Sequence, residues 1–255
     1  MLAAELAVFI ERVDSYAPEA FPEAVETVVS AIIARRPTSA PLLTLANAVF
    51  LTIDRGPETV IAEVRAVAER LRTSVDILAT MGAAFVPDGG SVLAHGTSSS
   101  VKRLLQEAAL AKRFRVTCEA GKDGAGRLFA ADLIDSGIAV EVVGDGLVVD
   151  SLFGVDLLVT GASAFGPDSM INSVGTDVLL KEAINLDVRA LLVTSADKAL
   201  PGPLFERAVA AAIEADGLEV VRLAQFEAVV TELGVLDPAA AGRLAERREV
   251  ARQLA

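Results

Sequence analysis

The sequence predicts an α/β protein, with an N-terminal helical unit followed by a Rossmann-like parallel sheet carrying helices on both faces. Three observations predict it. Apolar residues recur at helical spacing through roughly the first 85 positions. From residue 91 onward, short Val-rich runs alternate with helical stretches, the pattern of a parallel sheet covered on both sides. Between the two regimes, Pro87-Asp88-Gly89-Gly90 is a concentrated turn signal, so residues 1–87 and 88–255 are expected as separate domains.

Taken in order, Leu2, Leu6, Phe9, Ile10 and Val13 fall on one face of a first helix. A second runs from Pro22 to Ile33, with Val25, Val28, Val29 and Ile32 in its stripe. Pro37 and Pro41 bracket a turn, and Leu42 to Ile53 form a third helix. Gly56-Pro57-Glu58 opens a long fourth helix, with the proline suited to its first turn. Strands are then expected at Ser91–Ala94, Phe114–Cys118, Ile138–Val143, Asp156–Thr160 and Ala190–Thr194, with Glu219–Leu223 as a last one. The intervening helices start at Ser98, span Gly126 to Ser136, and fall near Asn172–Ala183 and Leu204–Ala215. After Asp237-Pro238 a charged, apolar-poor helix is expected to be solvated rather than packed.

Composition excludes several function classes. A formal charge of −12 opposes direct nucleic-acid binding, which needs a basic face, and 4% aromatics leave few rings for base stacking. One cysteine and one histidine rule out an intramolecular disulfide and any Cys- or His-rich metal centre, and no cofactor is called for. The first 15 residues carry Glu5, Glu11, Arg12 and Asp14 without a basic leader, which reads as an amphipathic helix and not a signal peptide. No uncharged apolar run is long enough to span a membrane, so a cytoplasmic location is expected.

In a sheet of this kind, ligands sit beyond the carboxyl ends of the strands. That places His95–Ser100, Glu119–Lys122, Gly161–Pro167 and Ser195–Lys198 around one crevice. Gly96 lets backbone approach a ligand, and Thr97, Ser98, Ser99 and Ser100 open a helix whose first amides attract anions. A hydroxyl-capped helix with no ligand explains the same residues equally well. Lys122 and Arg127 sit in a glycine-rich turn that suits a phosphate or is simply a flexible loop. Asn172 and Thr176 suit a polyhydroxyl ligand or ordinary turn chemistry.

Together the segments resemble the family of initiation factor 2B alpha, beta and delta subunits, methylthioribose-1-phosphate isomerase and ribose-1,5-bisphosphate isomerase. Arg36-Pro37-Thr38-Ser39 and Leu45-Ala46-Asn47-Ala48 resemble its R-P-T-S and L-x-N-A. Leu93 to Ser98 resembles L-T-H-C-N-S, and Glu119 to Ala130 aligns without gaps to E-S-R-P-x-x-E-G-R-x-x-A. Asp156 to Ser163 resembles D-x-V-x-V-G-A-D, and Ile171 to Thr176 resembles I-N-K-I-G-T. Phe226-Glu227 and Val230 to Val235 match its closing F-E and I-T-E-x-G-V, so the likeness covers about residues 36–238.

The resemblance implies isomerisation of a C1-phosphorylated aldose, carried out by a Cys and an Asp. Here those positions are Gly96 and Ser163, while Gly121 and Ser173 replace a phosphate-binding Arg and a Lys. Losing a general acid or base costs ~10²–10⁴-fold each, so no catalytic residue is assigned. The implied protein is a regulatory or assembly subunit, forming a homodimer or higher even oligomer. It is expected to bind a sugar phosphate or nucleotide phosphate at Gly96–Ser100, Lys122, Arg127, Ser163, Asn172 and Lys198. Two alternatives stand beside it. One is an aldose–ketose isomerase in which Cys118, Glu119 and His95 replace the lost pair; the other is an assembly subunit with a vestigial pocket.

Overall fold

The computed structural model describes residues 20–121 and 124–254, so the expected first helix and Lys122 lie outside the described residues. Helix α1 (Phe21–Arg35) buries Phe21, Val25, Val29 and Ile33, one residue per turn on a single face. Helix α2 (Ala40–Thr52) is buried on most sides, which fits a composition with no charged residue. Helix α3 (Pro57–Gly82) starts after Gly56, whose φ of 90° turns the chain into Pro57. Its first half buries Val60, Val64 and Val67 against α1 and α2. Its second half sends Leu78 and Ala79 into the core over the sheet. A single apolar stripe thus joins the helical unit to the α/β body.

Alternation follows as expected through β1 (Ser91–His95), α4 (Ser99–Ala109), β2 (Arg115–Glu119), α5 (Ala125–Asp135) and β3 (Ala139–Val143). After β4 (Leu157–Thr160) come two strands that periodicity did not reveal, β5 (Ala164–Phe165) and β6 (Ser169–Ser173). Helix α6 (Thr176–Asn185), β7 (Arg189–Val193), α7 (Gly202–Glu214) and β8 (Leu218–Arg222) follow. A hairpin of β9 (Ala228–Thr231) and β10 (Gly234–Leu236), then α8 (Pro238–Glu246), complete the set.

The main sheet has the order β10-β9-β7-β4-β1-β2-β3 and is parallel apart from β10. From β1 the chain proceeds outward to β2 and β3, then crosses back to β4 on the other side of β1. Helices diverge at such a switch and leave a crevice, which here opens at the ends of β1 and β4. One face of the sheet packs on α3, α4 and α5, and the other on α6 and α8.

Three expectations need correction. Asn172 does not open a helix. It lies in β6, which pairs with β5 and β8, and α6 begins only after Gly175 turns the backbone with φ 102°. Residues 219–222 form a strand in this small antiparallel sheet, not in the parallel one, which closes instead with the β9–β10 hairpin. The segment after Pro238 is docked, not solvated. Small residues allow close approach: Ala241, Gly242 and Ala245 are buried, and a Cβ on Gly242 would overlap the Pro167 carbonyl. Beyond α8, Asn47 Nδ2 donates to the Glu249 carbonyl (2.8 Å) and its Oδ1 accepts from the Ala251 amide (2.8 Å). Ala251 and Leu254 complete the core shared with α1, α2 and α7.

Candidate functional site

At the switch point lies a cavity of about 430 Å³. Strand β1 and its exit supply His95, Gly96, Thr97, Ser98 and Ser99; the end of β4 supplies Gly161, Ala162 and Ser163. Asn172 and Ser173 come from β6, Lys198 from the turn after β7, and Thr38, Ser39 and Pro41 from the start of α2. Among the described residues, the cavity lining carries seven hydroxyls, one carboxamide, one imidazole and one amine, and no carboxylate. In a chain of net charge −12 that separation is marked, because every described acidic side chain has been kept off this surface.

Beneath the cavity floor runs a buried polar network. His95 Nδ1 faces Glu119 Oε2 at 3.1 Å, and His95 Nε2 faces Thr176 Oγ1 at 3.0 Å. The Thr176 hydroxyl gives its proton to the Ser173 carbonyl (2.6 Å), so it accepts from His95 and from Asn172 Nδ2 (3.0 Å). Asn172 also donates to Thr160 Oγ1 (2.8 Å), which in turn donates to the His95 carbonyl (3.0 Å). Glu119 Oε1 accepts from the Gly96 amide at 2.6 Å. Burial works to raise the Glu119 carboxyl, but His95 and the Gly96 amide outweigh it and hold it below the usual carboxylate range. The Glu–His–Thr order mimics a nucleophile relay, yet Thr176 is 1% exposed and does not line the cavity. Its hydroxyl is sealed and fully engaged, so it attacks nothing.

Above this floor the wall is sparsely bonded. Gly96 adopts φ 78°, and a Cβ there would meet only Ser173 Oγ at 3.9 Å, so the missing side chain leaves free volume facing the cavity. Ser163 is held through its amide, which donates to the Ile171 carbonyl at 2.9 Å. Gly96 and Ser163, from different strands, thus open onto one space. Ser98 caps α4, accepting from the Val101 amide at 3.5 Å, and the absence of a side chain on Gly161 is what lets Ser98 pack there. Two helices, α2 and α4, begin at this cavity, and a helix leaves its first amides without intrahelical partners.

Lys198 Nζ donates to the Ala162 carbonyl at 2.8 Å, and burial pushes its ammonium down from the ordinary value. Its turn is pinned on several sides. The Ala196 amide donates to Glu232 Oε2 (2.9 Å), Arg248 Nη2 donates to the Ala196 carbonyl (2.8 Å), and Thr44 Oγ1 donates to the Asp197 carbonyl (2.7 Å). The neighbouring Asp197 carboxylate is directed to Arg70 and Arg248, at 3.7 and 3.9 Å.

Not every residue singled out in the sequence reaches the cavity. Ser100 is buried behind Ser99 in the first turn of α4, and Arg127 is exposed on α5 away from the lining. Cys118 points into the core with α5, where burial and the nearby Glu119 push its thiol up to about 11. It has no route to a ligand in the cavity. Glu119 acts only through His95 and Gly96. Thr38, Ser39 and Pro41 were not foreseen as lining, although the Arg36-Pro37-Thr38-Ser39 motif was the available signal. The strand-end rule looks only at the sheet, whereas this wall belongs to a helix of the N-terminal unit. Among the described residues, no group of three or more His, Cys, Asp or Glu is placed to hold a metal, and no helix is long and apolar enough to cross a membrane.

Fold and site together define a class: a doubly wound α/β body whose switch-point cavity is completed by an N-terminal helical unit. A model of the initiation factor 2 subunit family (IF-2B) matches residues 1–239, and the chain belongs to that family. Among solved structures it is similar to the translation initiation factor eIF-2B of Pyrococcus horikoshii OT3. That match has a TM-score of 0.77 at 20% identity and covers 92% of this chain and 91% of the other. It is also similar to the tetrameric eIF2B-beta2-delta2 complex of C. thermophilum (TM-score 0.79, 15% identity, 95% and 86% coverage). A third likeness is to eIF2B beta of Chaetomium thermophilum (TM-score 0.78, 14% identity, 99% and 88% coverage). At these identities the likeness speaks to fold.

Proposed function

We propose that this is a non-catalytic member of its family that binds a sugar phosphate or nucleotide phosphate in the switch-point cavity and acts as a regulatory or assembly subunit. The observation that carries the reading is the cavity lining, which among the described residues has seven hydroxyls, Asn172, His95 and Lys198 but no carboxylate. Hydroxyls and a carboxamide match a polyol, and the amides opening α4 suit its phosphate. The bare Gly96 and the hydroxyl of Ser163 leave no general acid or base at the two positions that the family resemblance assigns to chemistry. Thermal denaturation with ribose 1,5-bisphosphate, ribose 1-phosphate and AMP tests this. At least one raises the midpoint at submillimolar concentration, since a ligand of the native state alone stabilises it. A flat response to all three leaves the cavity vestigial.

One observation favours the isomerase alternative. His95 lines the cavity and is backed by Glu119. Both of its ring nitrogens are already engaged, which argues against proton shuttling. Turnover of an aldose 1-phosphate that disappears in Glu119→Gln is the result that establishes the isomerase instead.

Assembly into an even oligomer extends to this chain from a solved neighbour described as tetrameric. Phe153, 84% exposed, and Leu147 give the β3–β4 connection an apolar surface consistent with a protein contact. Sedimentation equilibrium showing a dimer or tetramer supports it, and a monomer at micromolar concentration removes it.

A further inference from the structure

The four described lysines differ in what holds their nitrogen. Lys102 pairs with Asp132, and Lys181 pairs with Asp177 at 2.6 Å. Lys112 donates to three carbonyls, those of Ala83, Ala84 and Val86, at 2.9, 3.0 and 2.7 Å. Each of these nitrogens thus meets a carboxylate or several carbonyl oxygens. Lys198 has one neutral acceptor, the Ala162 carbonyl, and among the described residues no carboxylate within ion-pair reach. It alone of the four lines the cavity, on a turn fixed by Glu232, Arg248 and Thr44.

We propose that Lys198 is a carbonyl-reactive amine, and that the cavity takes a phosphorylated aldehyde, such as an open-chain aldose phosphate, as an imine on its Nζ. This rests on the phosphate-binding reading above and narrows it to ligands with a free carbonyl. A half-buried lysine without a carboxylate partner is an environment in which an amine turns nucleophilic at neutral pH, because desolvation disfavours the ammonium. Lys198 is the described lysine whose ammonium is pushed down by burial. Each unit of depression multiplies the free amine about tenfold.

The chemistry is self-contained. The neutral Nζ adds to the aldehyde carbon, and its proton passes to the oxygen to form a carbinolamine. Loss of water, carrying the second amine proton, leaves the C=N bond. No oxidant, reductant or metal is needed. The surrounding hydroxyls hydrogen-bond the remaining polyol, and the start of α4 holds the phosphate at the far end.

The test is reductive trapping. Protein is incubated at neutral pH with ribose 5-phosphate or pyridoxal 5′-phosphate and cyanoborohydride, and adducts are located by peptide mass spectrometry. The proposal expects one dominant adduct on Lys198, formed severalfold faster than on exposed Lys181 and slowed by ribose 1-phosphate, which has no free aldehyde. Lys198→Met removes that adduct and leaves the slow labelling of Lys181 unchanged. Label spread over the exposed lysines with Lys198 spared, or Lys198 labelled no faster than Lys181, overturns the proposal. The two readings fail separately. A midpoint raised by ribose 1-phosphate with Lys198 unlabelled sinks the imine alone. Rapid labelling of Lys198 with no response to ribose 1-phosphate sinks the phosphate site alone.

Discussion

The floor and the wall of the cavity are built on opposite principles. In the floor, Glu119, His95, Thr176, Asn172 and Thr160 are buried or nearly so, and each answers a neighbour's donor or acceptor. On the wall, Gly96 has no side chain, and the side chains of Ser163, Ser173 and Lys198 carry few bonds to the rest of the chain. A satisfied buried network is expensive to disturb, because any removal strands a partner away from water. A sparsely bonded wall is free to change. Of the functional positions of the family's motif that have changed in this chain, Gly96, Ser163 and Ser173 lie on the wall and Gly121 lies in a loop. Ligand chemistry can therefore drift here while the fold stays fixed.

The comparison breaks most visibly at Glu119. Glu119→Ala strands the Gly96 amide and His95 and should lower stability by about 3 kcal/mol, read from the denaturant midpoint. The same residue gives a signature in pH. Its folded carboxyl is depressed, so ionised Glu119 stabilises the native state above its ordinary value of 4.5, and that contribution fades as pH falls through the lower folded value. The melting-temperature gap between wild type and Glu119→Gln should be full at neutral pH and narrow in acid. Next in size, Asn172→Ala removes the donor shared by Thr160 and Thr176, with an expected cost of about 2 kcal/mol by the same measurement.

On the wall the effects shrink. Gly96→Ala has room for its methyl group, so only the left-handed backbone penalises it, by about 1 kcal/mol. Ser163→Ala should stay within about 0.5 kcal/mol of wild type while weakening the ligand-induced rise in melting temperature. A Ser163→Ala cost as large as that of Asn172→Ala would erase the distinction between floor and wall.

Much of this was legible in the sequence, for reasons that also explain the rest. The crevice at the strand ends was readable because Val-rich runs and glycine-bearing exits such as His95-Gly96 and Thr160-Gly161 are local signals. Strands β5 and β6 escaped because they are short, and the pairing of β6 with β8 is set by partners some 50 residues away in the chain. Asn172 therefore looked like the start of a helix when it is a strand residue donating across the floor. The docked tail escaped for another reason. Ala241, Gly242 and Ala245 are too small to register as an apolar stripe, yet their smallness is what allows α8 to lie against the backbone at Pro167. Arg127 erred in the opposite direction, since charge beside glycines suggested a phosphate contact while the helix turned the side chain to solvent.

The two hydrogen bonds of Asn47 join residues separated by 202 and 204 positions in the chain. During synthesis α2 emerges long before Glu249 and Ala251 exist to meet it, so its carboxamide waits on water or on transient partners. Closing that loop is a late event with a high entropic toll. A nascent chain halted before residue 249 would hold its first helices in a half-finished state, and quality-control proteases would be expected to find it there.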